Sequence, residues 1–435
     1  MKKFFAAVVC PILLFSFTAA ETAFSADPSW RNWRGPNNNG VADSDAPVAF
    51  SDTQNVKWRI KIPGKGHSTP VIWGDRMFLT TAVPTQSPGA GTSTPETEHN
   101  FMVMAIDRNT GKTIWGKTAT TATPHDGFHD QYGSYASNSP ITDGEMLYAY
   151  FGSRGVFAYD LDGNLQWRKD LPMQMSKRMG FGEGAAPFLH DNILILQCDH
   201  EGQSFILALD KNSGEELWRT DRDESSTWSQ PVVVEHDGRE QIVTNGEIVR
   251  SYDLQTGELI WQAGRLGGNA IPAPVQHEDM VIVMTGWRNA NLLAIKLGGA
   301  GDLTGNPEYI KWTNERGNSY SASPVLHEGI LYVLTDNGMI SAFDAATGEA
   351  HYRQQRLPNP SSYKASPLAA NGKLYIASER GEVTVIRLGK TYEVLSVNNM
   401  GDEMFVSSPV AFNDLLYLRS QDELFCIADM SRASR

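Results

Sequence analysis

The sequence predicts an all-β fold, an eight-bladed β-propeller, and three observations carry that reading. A mostly small-residue–Pro step opens an apolar, β-rich run eight times: Thr69-Pro70, Ser139-Pro140, Ala186-Pro187, Gln230-Pro231, Ala273-Pro274, Ser323-Pro324, Ser366-Pro367 and Ser408-Pro409. After a first interval of 70 residues, the prolines recur every 42–50, the period of a four-stranded blade. Late in most units an Asp-x-x-Thr-Gly turn precedes a tryptophan, as in AIDRNTGKTIW (105–115) and SYDLQTGELIW (251–261). No helix-period segment of useful length interrupts the pattern.

The chain opens on a short positive region, Lys2 and Lys3, followed by the apolar run Phe4–Phe17 and several small-residue cleavage options. Residues 1–26 therefore read as a signal peptide, and no other apolar run approaches transmembrane length. Residues 27–435 read as one propeller domain of an exported protein. Two cysteines survive processing, Cys198 and Cys426, and the repeat count places them in non-adjacent blades. They are expected as buried free thiols, since disulfide geometry needs Cα atoms within about 7 Å.

Trp58 stands 12 residues before Pro70, the spacing from Trp218, Trp261 and Trp312 to their next prolines being 12 or 13. Only 26 residues follow Pro409, too few for a blade. The segment 54–62 is thus expected to supply the outer strand of the last blade, closing the ring and removing a free sheet edge. Each unit then reads as two strands with a polar turn, as in PVLHEGILYVLT (324–335), a third strand, the Asp-x-x-Thr-Gly turn and a fourth strand ending in Trp. Residues 84–98, rich in Pro, Ser, Thr and Gly, form a surface-loop insertion in the first unit. Gly supplies the positive φ of the turn, and Asp and Thr can hydrogen-bond its backbone. Trp58, Trp115, Trp167, Trp218, Trp261 and Trp312 are expected to dock each blade on its neighbour, with Tyr352 and Tyr392 at the equivalent places in two later units. Burying one such ring removes roughly 150–250 Å2 from water.

This turn-plus-tryptophan repeat, Ala-x-Asp-x-x-Thr-Gly-x-x-x-Trp, resembles that of the PQQ-like (pyrroloquinoline quinone repeat) eight-bladed propellers. Ala105–Trp115 matches every position, and Ala208–Trp218 differs by Ser213 for Thr. WRNWRGPNNNGV (30–41), residues 134–167 and 331–350, and RQQRLP (353–358) resemble exported members common in planctomycetes. The resemblance implies the fold over the whole mature chain. It leaves function divided between quinoprotein alcohol dehydrogenases and non-catalytic scaffolds such as the outer-membrane assembly factor BamB. The dehydrogenases generally carry adjacent cysteines over their quinone, and this sequence has none. The expectation is a binding or assembly scaffold of the periplasm or cell envelope, monomeric and without cofactor. The alternatives are a PQQ- and Ca2+-dependent alcohol or sugar oxidoreductase, and a hydrolase or lyase built around His67, Glu183 and Lys364.

Function is expected at one mouth of the central channel, on the loops that precede each proline and those between second and third strands. The first set offers His67, Tyr135, Glu183, Trp228, Asn269, Tyr320, Lys364 and Phe405. The second offers Arg154, His200, Trp287, Arg288, Asn337 and Arg380. This mixed aromatic and polar rim suits a small polar ligand, a glycan or a peptide. PHDGFHDQYGSY (124–135) holds His125 and His129 beside Asp126 and Asp130, but Pro124, Gly127 and Gly133 make it a loop with no third fixed ligand, so no metal site is expected. No phosphate loop, nucleophile elbow or Ser/His/Asp set is present. The formal charge of −13 argues against nucleic-acid partners.

Overall fold

Eight small sheets follow one another around a ring, at residues 71–122, 141–169, 188–222, 232–263, 275–314, 325–356, 368–399 and 410–428. They are numbered here as blades one to eight. The computed structural model describes residues 1, 29–86, 97–288 and 290–431. The expected signal peptide and most of the 84–98 insertion lie outside the described residues.

The sixth blade shows the plan. Val325–His327, Ile330–Leu334, Met339–Asp344 and Ala350–Arg356 pair antiparallel in chain order. Second and third strands are buried on both faces, because each sheet is sandwiched between neighbouring blades. Ile193–Cys198 in blade three is buried at every position, whereas the outer strand Leu165–Lys169 of blade two is exposed or half-exposed throughout. Inner strands therefore read as continuous apolar runs and outer ones as polar. The apolar contacts run between blades, as where Tyr148 and Tyr150 pack against Leu194, Leu196 and Leu207.

Ring closure occurs as the Trp58 spacing implied. Val56–Lys61 pairs antiparallel with Glu423–Ala428 of blade eight, placing Trp58 opposite Cys426. The turn chemistry is also as expected. Asp107 Oδ1 accepts the backbone N–H groups of Asn109 and Thr110 and the Thr110 hydroxyl at 2.8–3.0 Å, and Asp210 does the same for its turn.

Docking has a specific geometry. The indole N–H of Trp58, Trp115, Trp167, Trp218 and Trp312 each donates to a carbonyl of the next blade: Arg108, Leu161, Lys211, Leu254 and Ala345 respectively, at 2.9–3.1 Å. The ring meanwhile covers the turn glycine of that blade. At Gly257, φ is +72°, and a Cβ would stand 2.3 Å from Trp218 Cε3, so glycine serves both the turn and the close approach.

Five details differ from the sequence reading. The fourth strand does not end at its tryptophan: Trp115 is the third residue of Thr113–Ala122. Trp261 is fully buried, and its indole N–H bonds Gln241 Oε1 of its own blade at 2.8 Å. Blade five lacks the Asp-x-x-Thr-Gly turn, and Gly301–Asp302 of its longer connection runs parallel to Trp261 and Gln262 as an added strand. Tyr392 is not the equivalent of Tyr352. Tyr352 faces Ala342 across the pair, whereas the matching position in blade seven is Ser396, opposite Val385. Ser396 bonds the Val48 carbonyl at 2.6 Å, because residues 46–50 lie over blade seven where a tryptophan would otherwise go. Finally, Phe405 is buried core, so Val406 takes its expected place at the mouth.

The residues before the prolines have their own role. The backbone N–H of Thr69 bonds Ser139 Oγ, that of Ala273 bonds Ser323, Ser323 bonds Ser366, Ser366 bonds Ser408, and Ser408 bonds Thr69 Oγ1. Short hydroxyl side chains thus link neighbouring blades where the inner strands crowd at the axis. Both cysteines are buried, in blades three and eight, as free thiols.

Candidate functional site

The central channel is filled from one side by residues 29–42. Ser29–Trp30 pairs with Trp73 and Ile72 of blade one, and Val41–Ala42 runs parallel to Ala369 and Ala370 of blade seven. Between them Arg34, 2% exposed, donates to the carbonyls of Pro367 and Pro324 at 2.9 Å each. Burial lowers this guanidinium to about 9. Asn32 Oδ1 accepts from Gln230 of blade four, and the Trp33 indole N–H donates to Ser408 Oγ of blade eight at 3.1 Å.

Above Trp33 an open cavity of about 180 Å3 remains at the opposite mouth. Its walls are aromatic. His129 stacks on Tyr132 at 3.6 Å between centroids, Phe181 stands 5.0 Å from His129, and Trp228 and Tyr320 complete the ring. Trp228 spends its indole N–H on the Gly182 carbonyl at 2.7 Å, so it lines the cavity without a free donor.

Three polar groups stand among these rings. His67 is 6% exposed; its ring donates to the Gly133 backbone, and its Nε2 has no partner. Burial first, then the charges of Lys65 and Arg419, push its pKa to about 3. It is therefore a neutral imidazole with an unmet acceptor lone pair. Glu183 accepts the Ser153 N–H at 2.5 Å and lies 3.8 Å from His125 Nε2. Burial raises its pKa, against the Ser153 bond and the nearby Lys177 charge. Lys364 pairs with Asp336 at 2.5 Å and lies 4.8 Å from the centre of the Tyr132 ring.

Of the expected mouth residues, His67, Glu183, Trp228, Tyr320 and Lys364 converge on the cavity. Tyr135 and Arg154 line a small recess behind Glu183, where Arg154 bonds His125 Nδ1 at 2.9 Å. Asn269 sits behind Tyr320, bonding its hydroxyl at 3.4 Å. Arg288 stands outside the cavity over the ring of Trp287, which is itself exposed and 5.6 Å from Tyr320. His200 turns back to the Gln203 carbonyl, and Asn337 bonds Thr335 within its own turn. Trp33, His129, Tyr132 and Phe181 were not anticipated as cavity walls. The 124–135 loop is a loop, as expected, but it divides its histidines, His125 facing the recess and His129 the cavity.

On the other face a wider cavity of about 780 Å3 separates residues 36–39 from the inner strands of blades two to five. His190 and Asp191 line it and come within 4.8 Å of Glu240, with His190 bonded to Glu240 at 2.6 Å.

A family model described as outer membrane protein assembly factor BamB matches residues 99–302 and 303–435. A BamB from Francisella salina is 28% identical over 99 residues, 23% of this chain and 18% of its own length. Among solved structures, BamB from Moraxella catarrhalis superposes with a TM-score of 0.57 at 15% identity, over 86% of this chain and 99% of that one. Quinohemoprotein alcohol dehydrogenase from Comamonas testosteroni superposes with a TM-score of 0.65 at 12% identity, over 92% of this chain and 80% of that one. At such identities the likeness is one of fold.

Proposed function

The chain belongs to the family of the outer membrane protein assembly factor BamB, and on that premise we propose that it is an exported, non-catalytic propeller that holds a protein partner in the periplasm or cell envelope. The observation that carries this reading is the filled channel. Residues 29–42 close the channel from one side, and the mouth above them presents neutral or already paired side chains. At the same mouth Trp287 and Met179 are exposed at 42% and 81%. Tryptophan is enriched among the residues that carry most of the binding energy of protein interfaces. The Lys2–Lys3 and Phe4–Phe17 pattern supports export.

The quinoprotein reading meets residues that do not fit its cofactor. PQQ carries three carboxylates, and the only lysine or arginine lining the cavity among the described residues is Lys364, already paired with Asp336. Ca2+ takes 6–8 oxygen ligands. Among the described residues Glu183 is the one carboxylate lining the cavity, and burial disfavours its charge. No catalytic step is therefore drawn through PQQ.

The test is capture from envelope extract of the native host with the mature chain, followed by cross-linking, alongside a Trp287→Ala variant. A discrete partner whose yield falls with Trp287→Ala is expected. Dye-linked alcohol or sugar oxidation on reconstitution with PQQ and Ca2+ would sink the scaffold reading.

A further inference from the structure

We propose that the channel-mouth cavity binds a single neutral pyranose ring, free or as one unit of a glycan. This goes beyond the partner-holding reading and stands on the cavity alone. Its volume of about 180 Å3 is below the roughly 300–1,000 Å3 of cofactor-sized pockets, so one small ring is the unit it accommodates. Its floor and walls are aromatic: Trp33 and Trp228 have their indole N–H groups committed to Ser408 and Gly182, so what they offer a ligand is ring carbon rather than a donor. A pyranose offers a matching surface, since its axial C–H bonds are weakly positive and an aromatic face is negative.

The polar groups select the same class. His67 lines the cavity, and its buried Nε2 lacks a donor. A buried acceptor left unmet costs about 1–3 kcal/mol, and a small turn of the imidazole toward the cavity would let a ligand hydroxyl supply the missing donor. A quaternary ammonium also favours aromatic cages, but it has no N–H or O–H for His67. Lys65, over the Phe128 ring, further repels cations near this mouth. Among the described residues lining the cavity an anion finds no free cation, because Lys364 is spent on Asp336 and His67 is neutral. A neutral ring with hydroxyls at its edge meets every condition.

The experiment is calorimetric titration and saturation-transfer NMR on the mature chain with methyl glucoside, methyl mannoside, N-acetylglucosamine and their trisaccharides, with choline and acetate alongside. At least one sugar should saturate one site with a Kd of about 10 mM or tighter, quenching tryptophan fluorescence. A trisaccharide binding more tightly than its monomer assigns a glycan chain, and equal binding assigns a free sugar. His67→Leu should weaken binding about tenfold, the equivalent of one lost hydrogen bond. Tyr320→Ala, nearer the surface and safer for folding, should also weaken it, whereas Trp287→Ala should not. No saturation by any sugar, binding undiminished in both cavity variants, or saturation by choline instead overturns the assignment. None of these readouts depends on partner capture, so the two readings fail separately.

Discussion

His67 allows a quantitative test of the cavity's electrostatics. On folding its pKa moves from an ordinary 6.5 to about 3, chiefly through burial. At about pH 7.5 the imidazole is neutral in both folded and unfolded chains and contributes nothing to pH dependence. On acidification the unfolded chain takes up a proton near 6.5, while the folded chain refuses it until near 3. The unfolded state then binds more protons, so stability falls as pH falls through that window. By about pH 4.5, two units below the unfolded value, the loss is about 3 kcal/mol at 1.36 kcal/mol per unit. That figure depends on the unfolded pKa alone, provided the folded value stays well under 4.5. His67→Gln keeps an amide donor for Gly133 and cannot titrate. Urea unfolding of both proteins, followed by tryptophan fluorescence at the two pH values, gives a double difference in which the other nine histidines cancel. A double difference of about 2–3 kcal/mol is expected. A value below about 1 kcal/mol would mean that Nε2 takes a proton in the folded state, and the reasoning that makes it a dry acceptor would be refuted.

Three other outcomes follow from the fold. Gly238→Ala, at φ +75° with nothing within 4 Å of a new Cβ, should cost about 1–2 kcal/mol of backbone strain, whereas Gly257→Ala should cost about 1–3 kcal/mol more by displacing Trp218. Equal unfolding midpoints for the two would deny the docking contact. Asp199 and Arg222, both fully buried and paired at 2.7 Å, should make Asp199→Asn cost about 3–5 kcal/mol by denaturant unfolding, because a buried guanidinium loses its counter-charge. A cost near zero would show that water reaches the pair. Burial pushes the thiols of Cys198 and Cys426 up to about 12, so a disulfide reagent at about pH 8 should label neither until the chain is unfolded. Rapid labelling of the native protein would place one of them at the surface.

Much of the site was legible as positions rather than as a shape. The residues ahead of each proline lie at one mouth, so His67, Glu183, Trp228, Tyr320 and Lys364 could be read from their spacing. His129, Tyr132 and Phe181 sit in irregular loops with no repeat counterpart, and only packing brings them to the axis. Phe405 and Val406 are adjacent, and which of them faces the mouth is a matter of local backbone direction.

The amino-acid sequence by itself determined the blade, the number of blades and the closure of the ring. Each of these is written in short-range chemistry repeated along the chain: a turn whose Asp, Thr and Gly satisfy one another, and an aromatic at a fixed distance from the next proline, Trp58 included. Tertiary structure alone decided the exceptions and the function-bearing space. Trp261 turned inward because a longer connection laid a strand over it, and Ser396 replaced an aromatic because residues 46–50 cover that blade. Trp33 and Arg34 filled the channel because strands on either side of them found open edges on blades one and seven. Such contacts join residues up to hundreds of positions apart through backbone groups that every residue carries, and no local pattern in the chain records them.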